Sequence, residues 1–393
     1  MKTAGIISEY NPFHSGHAGH ISKTRQVLGD DAAVVCVMSG NYVQRGDFAI
    51  FNKHARAKMA VLGGADLILE LPTPYVLMSA EGFAKAGVYI LESLGVCDYL
   101  SFGSECDDID LLTEAAKSVM TDEADNITRQ YLGTGVSYAT AQQFAADTLL
   151  GKKAKVFKSP NNVLGTEYIK ALIKYESNIQ PVTFKRTGGD HNSDIGYCGS
   201  GVRKILLADD FPITLLPGSS LEICKEEKSS GRGPVSNTHV EQAILSRLRT
   251  VTDFSNIQGI SEGLEQRFGS CAHTETSIES ILIKTKTKRF PMSRIRRVLL
   301  CAALNITKEY MLINPPYIKI LAMNNKGASI LKNARKKSKL PIITKPAAVN
   351  NLCETSRKLF NLESSATDLY VLAYKNEACR KGRQEWITSP III

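Results

Sequence analysis

The segment Ser8-Glu9-Tyr10-Asn11-Pro12-Phe13-His14-Ser15-Gly16-His17 holds the residue types and spacing best suited to chemistry in this chain of 393 residues. It follows the apolar run Ala4–Ile7, which reads as a strand, and precedes a stretch of helical pattern. His14, Gly16 and His17 therefore fall where the carboxyl end of a strand meets the start of a helix. Pro12 stops the strand. A helix start offers unpaired N–H groups and positive dipole character, and two imidazoles one turn apart can donate to phosphate oxygens. Gly16 removes the side chain that would block a nucleotide. The arrangement predicts phosphate binding rather than a surface helix that happens to carry two histidines.

His20 continues the i, i+3, i+6 series with His14 and His17, a spacing that also suits metal ligation. The chain has no HExxH arrangement and no second ligand cluster nearby, so no dedicated metal site is expected. The 9 cysteines are scattered, with no CxxC pair, and read as buried thiols rather than disulfides or a zinc ribbon.

The elements that must position these residues alternate. Ala4–Ile7, Ala32–Met38, Leu67–Leu71 and Tyr99–Phe102 read as strands; His17–Leu28, Lys53–Leu62 and Ser79–Leu94 read as helices. Strand-helix-strand units imply a parallel sheet with helices on its faces, and such sheets bind ligands at the carboxyl ends of their strands. Residues 106–180 look largely helical, Pro181–Lys185 returns to an extended pattern, and Val202–Leu207 begins another helix. The polar, glycine- and proline-broken stretch Lys225–Asn237 predicts a linker, and Thr238-x-x-Glu241 a capping box opening a helix through Arg249. The expected architecture is α/β: a Rossmann-like parallel-sheet domain over residues 1–215, a linker over 216–237, and a helix-rich basic domain over 238–393.

Charge divides the chain in the same way. Residues 1–150 carry 10 Lys+Arg against 18 Asp+Glu, and residues 151–393 carry 38 against 21. The basic half suits a polyanion, through backbone phosphates rather than base stacking, since few aromatic residues lie near its charges; a solvated basic face is the alternative. No apolar run approaches a membrane span and the opening residues make no secretory signal, so a cytoplasmic protein is expected.

The opening Gly5 to His17 resembles the tRNA(Met) cytidine acetate ligase family, of the HxGH nucleotidyltransferase type. Met38-Ser39-Gly40-Asn41-Tyr42-Val43-Gln44-Arg45-Gly46-Asp47, Gly64-Ala65-Asp66-Leu67-Ile68-Leu69-Glu70-Leu71-Pro72, Ser101-Phe102-Gly103-Ser104-Glu105 and Ser159-Pro160-Asn161-Asn162-Val163-Leu164-Gly165 are similar to it in the same order. The resemblance implies ATP binding by Ile7, Ser8, Glu9, Tyr10, Asn11, Pro12, Phe13, His14, Ser15, Gly16, His17, Ala18, Gly19 and His20, and by Gly103, Asn162, Arg186 and Thr187. Singly, Gly103 would read as a turn glycine, Asn162 as a helix cap and Arg186 as a surface arginine.

Where the family has Ser-Ala-Thr-x-Ile-Arg, this chain has Cys198-Gly199-Ser200-Gly201-Val202-Arg203, which keeps a hydroxyl and a cation. His14, His17, Ser200 and Arg203 are the catalytic candidates, with Arg186 completing the phosphate site. Lys336, Lys337 and Lys339, in a Lys-Lys-Ser-Lys run, are candidates for RNA phosphates or plain solvated charge.

The implied reaction uses ATP to convert acetate to acetyl-adenylate. Acetyl then passes to the exocyclic amine of the wobble cytidine of elongator tRNA(Met), giving N4-acetylcytidine, with Mg2+ arriving on ATP. Two other readings stay open: a small-molecule adenylyltransferase, and an RNA-binding protein that keeps a nucleotide pocket. Oligomeric state is not legible.

Overall fold

The computed structural model describes residues 1–186, 199–261 and 263–393. Among these residues ten short strands are β1 (Thr3–Ser8), β2 (Ala33–Ser39), β3 (Tyr42–Val43), β4 (Asp47–Phe48), β5 (Leu67–Leu71), β6 (Tyr99–Ser104), β7 (Gln180–Lys185), β8 (Ile318–Met323), β9 (Ile342–Ile343) and β10 (Ile391–Ile392). Eight of them form one sheet in the order β10-β8-β5-β2-β1-β6-β7, with β9 on β8, while β3 and β4 make a separate hairpin. The run β5-β2-β1-β6-β7 is parallel throughout. Chain order moves outward from β1 through β2 to β5 on one side, and through β6 to β7 on the other. A crevice therefore opens at the carboxyl ends of β1 and β6, the position where open α/β sheets take ligands.

The strands are apolar on both faces because both are covered. Ile6, Val34, Cys36, Met38 and Ile68 join one core; Ile7, Val35, Val37, Leu67 and Leu69 join the other. Helix α1 (Ser15–Leu28) and helix α2 (Lys53–Leu62) pack on the first face through Ile21, Ala57 and Met59. Helix α3 (Ala80–Leu94) packs on the second through Phe83, Val88 and Leu91. The fit is close: a Cβ on Gly87 of α3 would lie 2.8 Å from Ile7 Cδ1, so only glycine lets this helix reach β1.

Residues 238–393 do not form a separate helical domain. They supply β8, which pairs antiparallel with β5, and β9 and β10 beside it. A buried ion cluster fastens this part of the chain. Lys53 Nζ lies 2.6 Å from Glu70 and 2.7 Å from Glu385, Lys319 pairs with both carboxylates, and Thr367 Oγ1 donates to Glu385 at 2.8 Å. Burial alone would lower the Lys53 pKa, but Glu385 and Glu70 outweigh it and hold the ammonium charged. Burial, with Glu70 nearby, pushes Glu363 up to about 8, where it accepts from Thr73 N and Thr73 Oγ1. The basic part of the chain is thus joined to the acidic part through one sheet.

The expected linker is also structured. Helix Gly218–Ser229 occupies its first half, burying Cys224 and Glu227, and Val235 N donates to Ile50 O at 3.0 Å. Ser236, rather than Thr238, caps the turn before the helix Glu241–Arg249, and Glu241 instead accepts from Ile278 N at 2.8 Å. Composition marked polarity here, but burial against the sheet and α2 overrides it.

Candidate active site

A cavity of about 800 Å³ occupies the predicted crevice. His14 is the N-cap of α1, and its ring caps the helix: Nδ1 accepts Gly16 N–H at 3.1 Å. Gly16 favours this cap, since a Cβ would lie 3.0 Å from the His14 ring and push it aside. His17, one turn on, accepts His14 N–H on its own Nδ1 at 3.2 Å. With Nδ1 committed as acceptor, each neutral ring carries its proton on Nε2, as a donor available to a ligand. Burial, reinforced by Arg186 and Arg203, pushes His14 down to about 4; burial and the His14 ring hold His17 well below its ordinary range. Both are neutral single donors at pH 7, not the cations their type would suggest.

His20 lines the cavity but is engaged elsewhere. Thr24 Oγ1 donates to His20 O, which leaves the Thr24 oxygen to accept from Ser101 Oγ at 2.7 Å and Ser101 Oγ to accept from His20 Nε2 at 2.8 Å. The chain of hydrogen bonds fixes its ring, and burial lowers it to about 4.

Of the opening segment, Ile7, Ser8, Glu9, Tyr10, Asn11, His14, Gly16, His17 and His20 line the cavity, while Pro12, Phe13, Ser15, Ala18 and Gly19 do not. Phe13 is instead fully buried in the core beneath α2. Gly103 ends β6 at the cavity wall, where a Cβ would meet Arg186 Cγ at 3.1 Å, so the glycine lets Arg186 fold over the strand end. Arg186 Nη1 donates to Asn161 Oδ1 at 2.8 Å.

Asn162 is not at the wall. It is 4% exposed, and its Oδ1 accepts the N–H groups of Glu105 and Cys106 at 2.9 and 3.1 Å. It shapes the turn after β6, and its neighbour Asn161 lines the cavity. Both asparagines have the same chemistry in sequence; only the helical phase separates them.

Helix Gly199–Leu207 brings Ser200 and Arg203 to the cavity, with Gly199 beside His14 Nε2 and Arg203 Nη1 donating to Asn11 O at 2.8 Å. Thr187 lies outside the described residues.

The sequence reading missed Arg45, Asp47 and Arg296. Arg45 and Asp47 come from the β3–β4 hairpin and Arg296 from the helix Met292–Ala303, all at the cavity. Basic lining groups (Lys23, Arg45, Lys158, Lys185, Arg186, Arg203, Arg296) face two carboxylates, Glu9 and Asp47. Burial raises the pKa of both carboxylates, against the pull of neighbouring arginines. Lys336, Lys337 and Lys339 are not brought to the site. Lys339 pairs with Glu92 at 3.2 Å and its N–H donates to Ser93 O, near the end of α3 that precedes β6, so the cluster sits at the opposite end of the sheet.

Among the described residues no three His, Cys, Asp or Glu side chains group to hold a metal, and no helix is long and apolar enough to cross a membrane.

A parallel sheet with a histidine-capped helix at its switch point defines a nucleotidyltransferase of the HxGH type, and the HIGH Nucleotidyl Transferase family matches residues 1–385. A protein of Acetivibrio thermocellus named tRNA(Met) cytidine acetate ligase is 38% identical, and one of the same name from Thermosipho africanus 37%, each covering 100% of both chains. The solved Thermotoga maritima TmcAL bound with alpha-thio ATP superposes with a TM-score of 0.93 at 33% identity over 100% of both chains. This chain belongs to the tRNA(Met) cytidine acetate ligase family.

Proposed function

We propose that this chain is an ATP-dependent carbon-nitrogen ligase that forms acetyl-adenylate and acetylates N4 of the wobble cytidine in elongator tRNA(Met). The observation that carries the reading is the pair of Nε2–H donors at the start of α1, held by backbone hydrogen bonds and facing a cavity rich in arginine. Triphosphate lies there against His14, His17, Ser200, Arg186 and Arg203. As an acetate oxygen attacks the α-phosphorus, charge grows on the phosphoryl oxygens and on the departing pyrophosphate. Fixed donors already aimed at that charge stabilise it without reorganisation. The cytidine amine then attacks the acetyl carbonyl; a C–N bond forms, the acyl C–O bond to AMP breaks, and the amine gives up a proton to solvent as AMP leaves.

Mg2+ is not given a protein cage by these residues. Among the described residues the cavity has only two carboxylates, Glu9 and Asp47, each already accepting a backbone N–H, and magnesium held mainly by phosphates and water fits such a wall. The cytosol, where ATP and tRNA meet, is the expected compartment.

The test is pyrophosphate release with acetate or other short acids, with and without tRNA, followed by mass spectrometry of the nucleosides. Acetate-dependent release and N4-acetylcytidine in tRNA(Met) are the expected results. Activity with a phosphorylated small molecule in place of both would favour an adenylyltransferase.

A further inference from the structure

The cavity extends to both sides of β1. On one side are the ends of β6 and β7, with Gly103 and Arg186, the side assigned to ATP above. On the other side the wall is the β3–β4 hairpin and α3, contributing Val43, Phe48 and Phe83, which are at most 5% exposed. At the outer edge of this second wall stand Arg45 and Arg296. Both side chains are exposed, and neither makes a hydrogen bond or ion pair among the described residues.

The segments that carry them pack together. Gly46, at φ +77, brings the hairpin so near the helix Met292–Ala303 that a Cβ would lie 2.5 Å from Arg297 N. Arg297 Nη1 reaches back to Gln44 O at 3.4 Å. Two arginines from distant parts of the chain thus line a half-cavity whose walls are Val43, Phe48 and Phe83, with Asp47 beside them.

We propose that Arg45 and Arg296 form a phosphate-binding rim that takes the RNA backbone on either side of the reacting base. The base, unstacked from its loop, enters between them against Phe48 and Phe83. An anticodon loop offers such a base at little cost, and enzymes acting on single bases require it to leave the stack. Exposed arginines with no hydrogen bond or ion pair among the described residues, and only the through-space pull of Glu9 and Asp47, suit phosphates, which they can grip with two parallel N–H donors. The lysine cluster at the opposite end of the sheet has no such relation to the cavity. This inference rests on the tRNA-modifying reading above.

Binding of a fluorescein-labelled tRNA(Met) anticodon stem-loop, followed by anisotropy across a salt series, tests it. For Arg45→Ala with Arg296→Ala, affinity at 0.1 M salt should fall about tenfold. The slope of log K against log salt should become shallower by about 1.5, because each phosphate contact contributes roughly 0.7–0.9. Arg45→Lys with Arg296→Lys should restore most of the slope, since charge alone releases counterions. Arg296→Ala alone should give about half the effect, which keeps the test open if the double variant does not fold; thermal melting checks that. Parent affinity and slope in the folded alanine variants would overturn the rim. Failure of the parent protein to bind or acetylate the stem-loop would overturn the tRNA reading itself, and the rim with it.

Discussion

The rings of His14 and His17 stack with centroids 3.7 Å apart and planes 25° apart, each with Nδ1 holding a backbone N–H. Two cations could not share that spacing in a buried site. The stack therefore excludes a doubly protonated pair, burial holds both rings below their ordinary range, and the helix cap decides which nitrogen keeps the proton.

Replacing His14 by Asn separates cap from catalysis, because asparagine is a good N-cap but cannot place a donor where Nε2 stands. His14→Asn should leave the helical circular dichroism unchanged and lower acetate-dependent pyrophosphate–ATP exchange by about 10²–10³-fold. Exchange at the parent rate would remove His14 from the phosphate site.

The depressed imidazoles make stability depend on pH with a definite sign. The folded pKa of His14, about 4, lies below the ordinary 6.5, so the unfolded chain binds the proton more readily. His14 therefore stabilises the fold fully above about pH 6.5 and loses that contribution as pH falls toward 4, on the order of 3 kcal/mol in all. His17 and His20 act in the same direction. The nucleotide-free protein should melt progressively earlier between pH 6.5 and 4, and His14→Asn should show a flatter curve. Equal slopes would mean that the ring is not buried as described.

Lys53→Met removes one cation from a cluster in which it and its partners are at most 2% exposed, leaving Glu70 and Glu385 to Lys319 alone. A buried ion pair broken from one side costs about 3–5 kcal/mol, and a loss of that size should appear in urea unfolding. The same cluster predicts that residues 1–237 do not fold alone, since they lack Lys319, Glu385 and strand β8. A cooperative melt of that fragment would contradict it.

A tRNA(Met) whose wobble cytidine is replaced by uridine should bind with near-parent affinity, because backbone phosphates supply most of it, but should accept no acetyl group. Uracil has no exocyclic amine to attack the adenylate. Acetyl found on the substituted tRNA, or on an amino acid of the protein, would count against the ligase reading.

Much of the nucleotide half was legible in the sequence. Leu67–Leu71 and Lys53–Leu62 match the observed elements residue for residue, because apolar runs between glycine stops leave little choice of period. His14, Gly16 and His17 stood out because local order alone sets a strand-helix junction. What could not be read depends on contacts distant in sequence. Ile318–Met323 is apolar enough to be a strand or a buried helix segment, and only the open edge of β5 decides. Arg296 looks like any surface arginine of an amphipathic helix until Gly46 is seen beside it. A single helical step decides that Asn161 lines the cavity and Asn162 is buried.

Lys53 and Glu385 are 332 positions apart, and the β5–β8 pairing also waits for the last quarter of the chain. During synthesis the parallel core emerges early, but β5 then presents an unpaired apolar edge with the Glu70 carboxylate at its end and no ammonium from Lys319 to meet it. Contacts of such long range make folding slow, and an open strand edge invites pairing with another chain. The feature that welds the two parts of the enzyme into one body is therefore also its point of greatest exposure before release from the ribosome, and a cell making it would need to shelter that edge until β8 arrives.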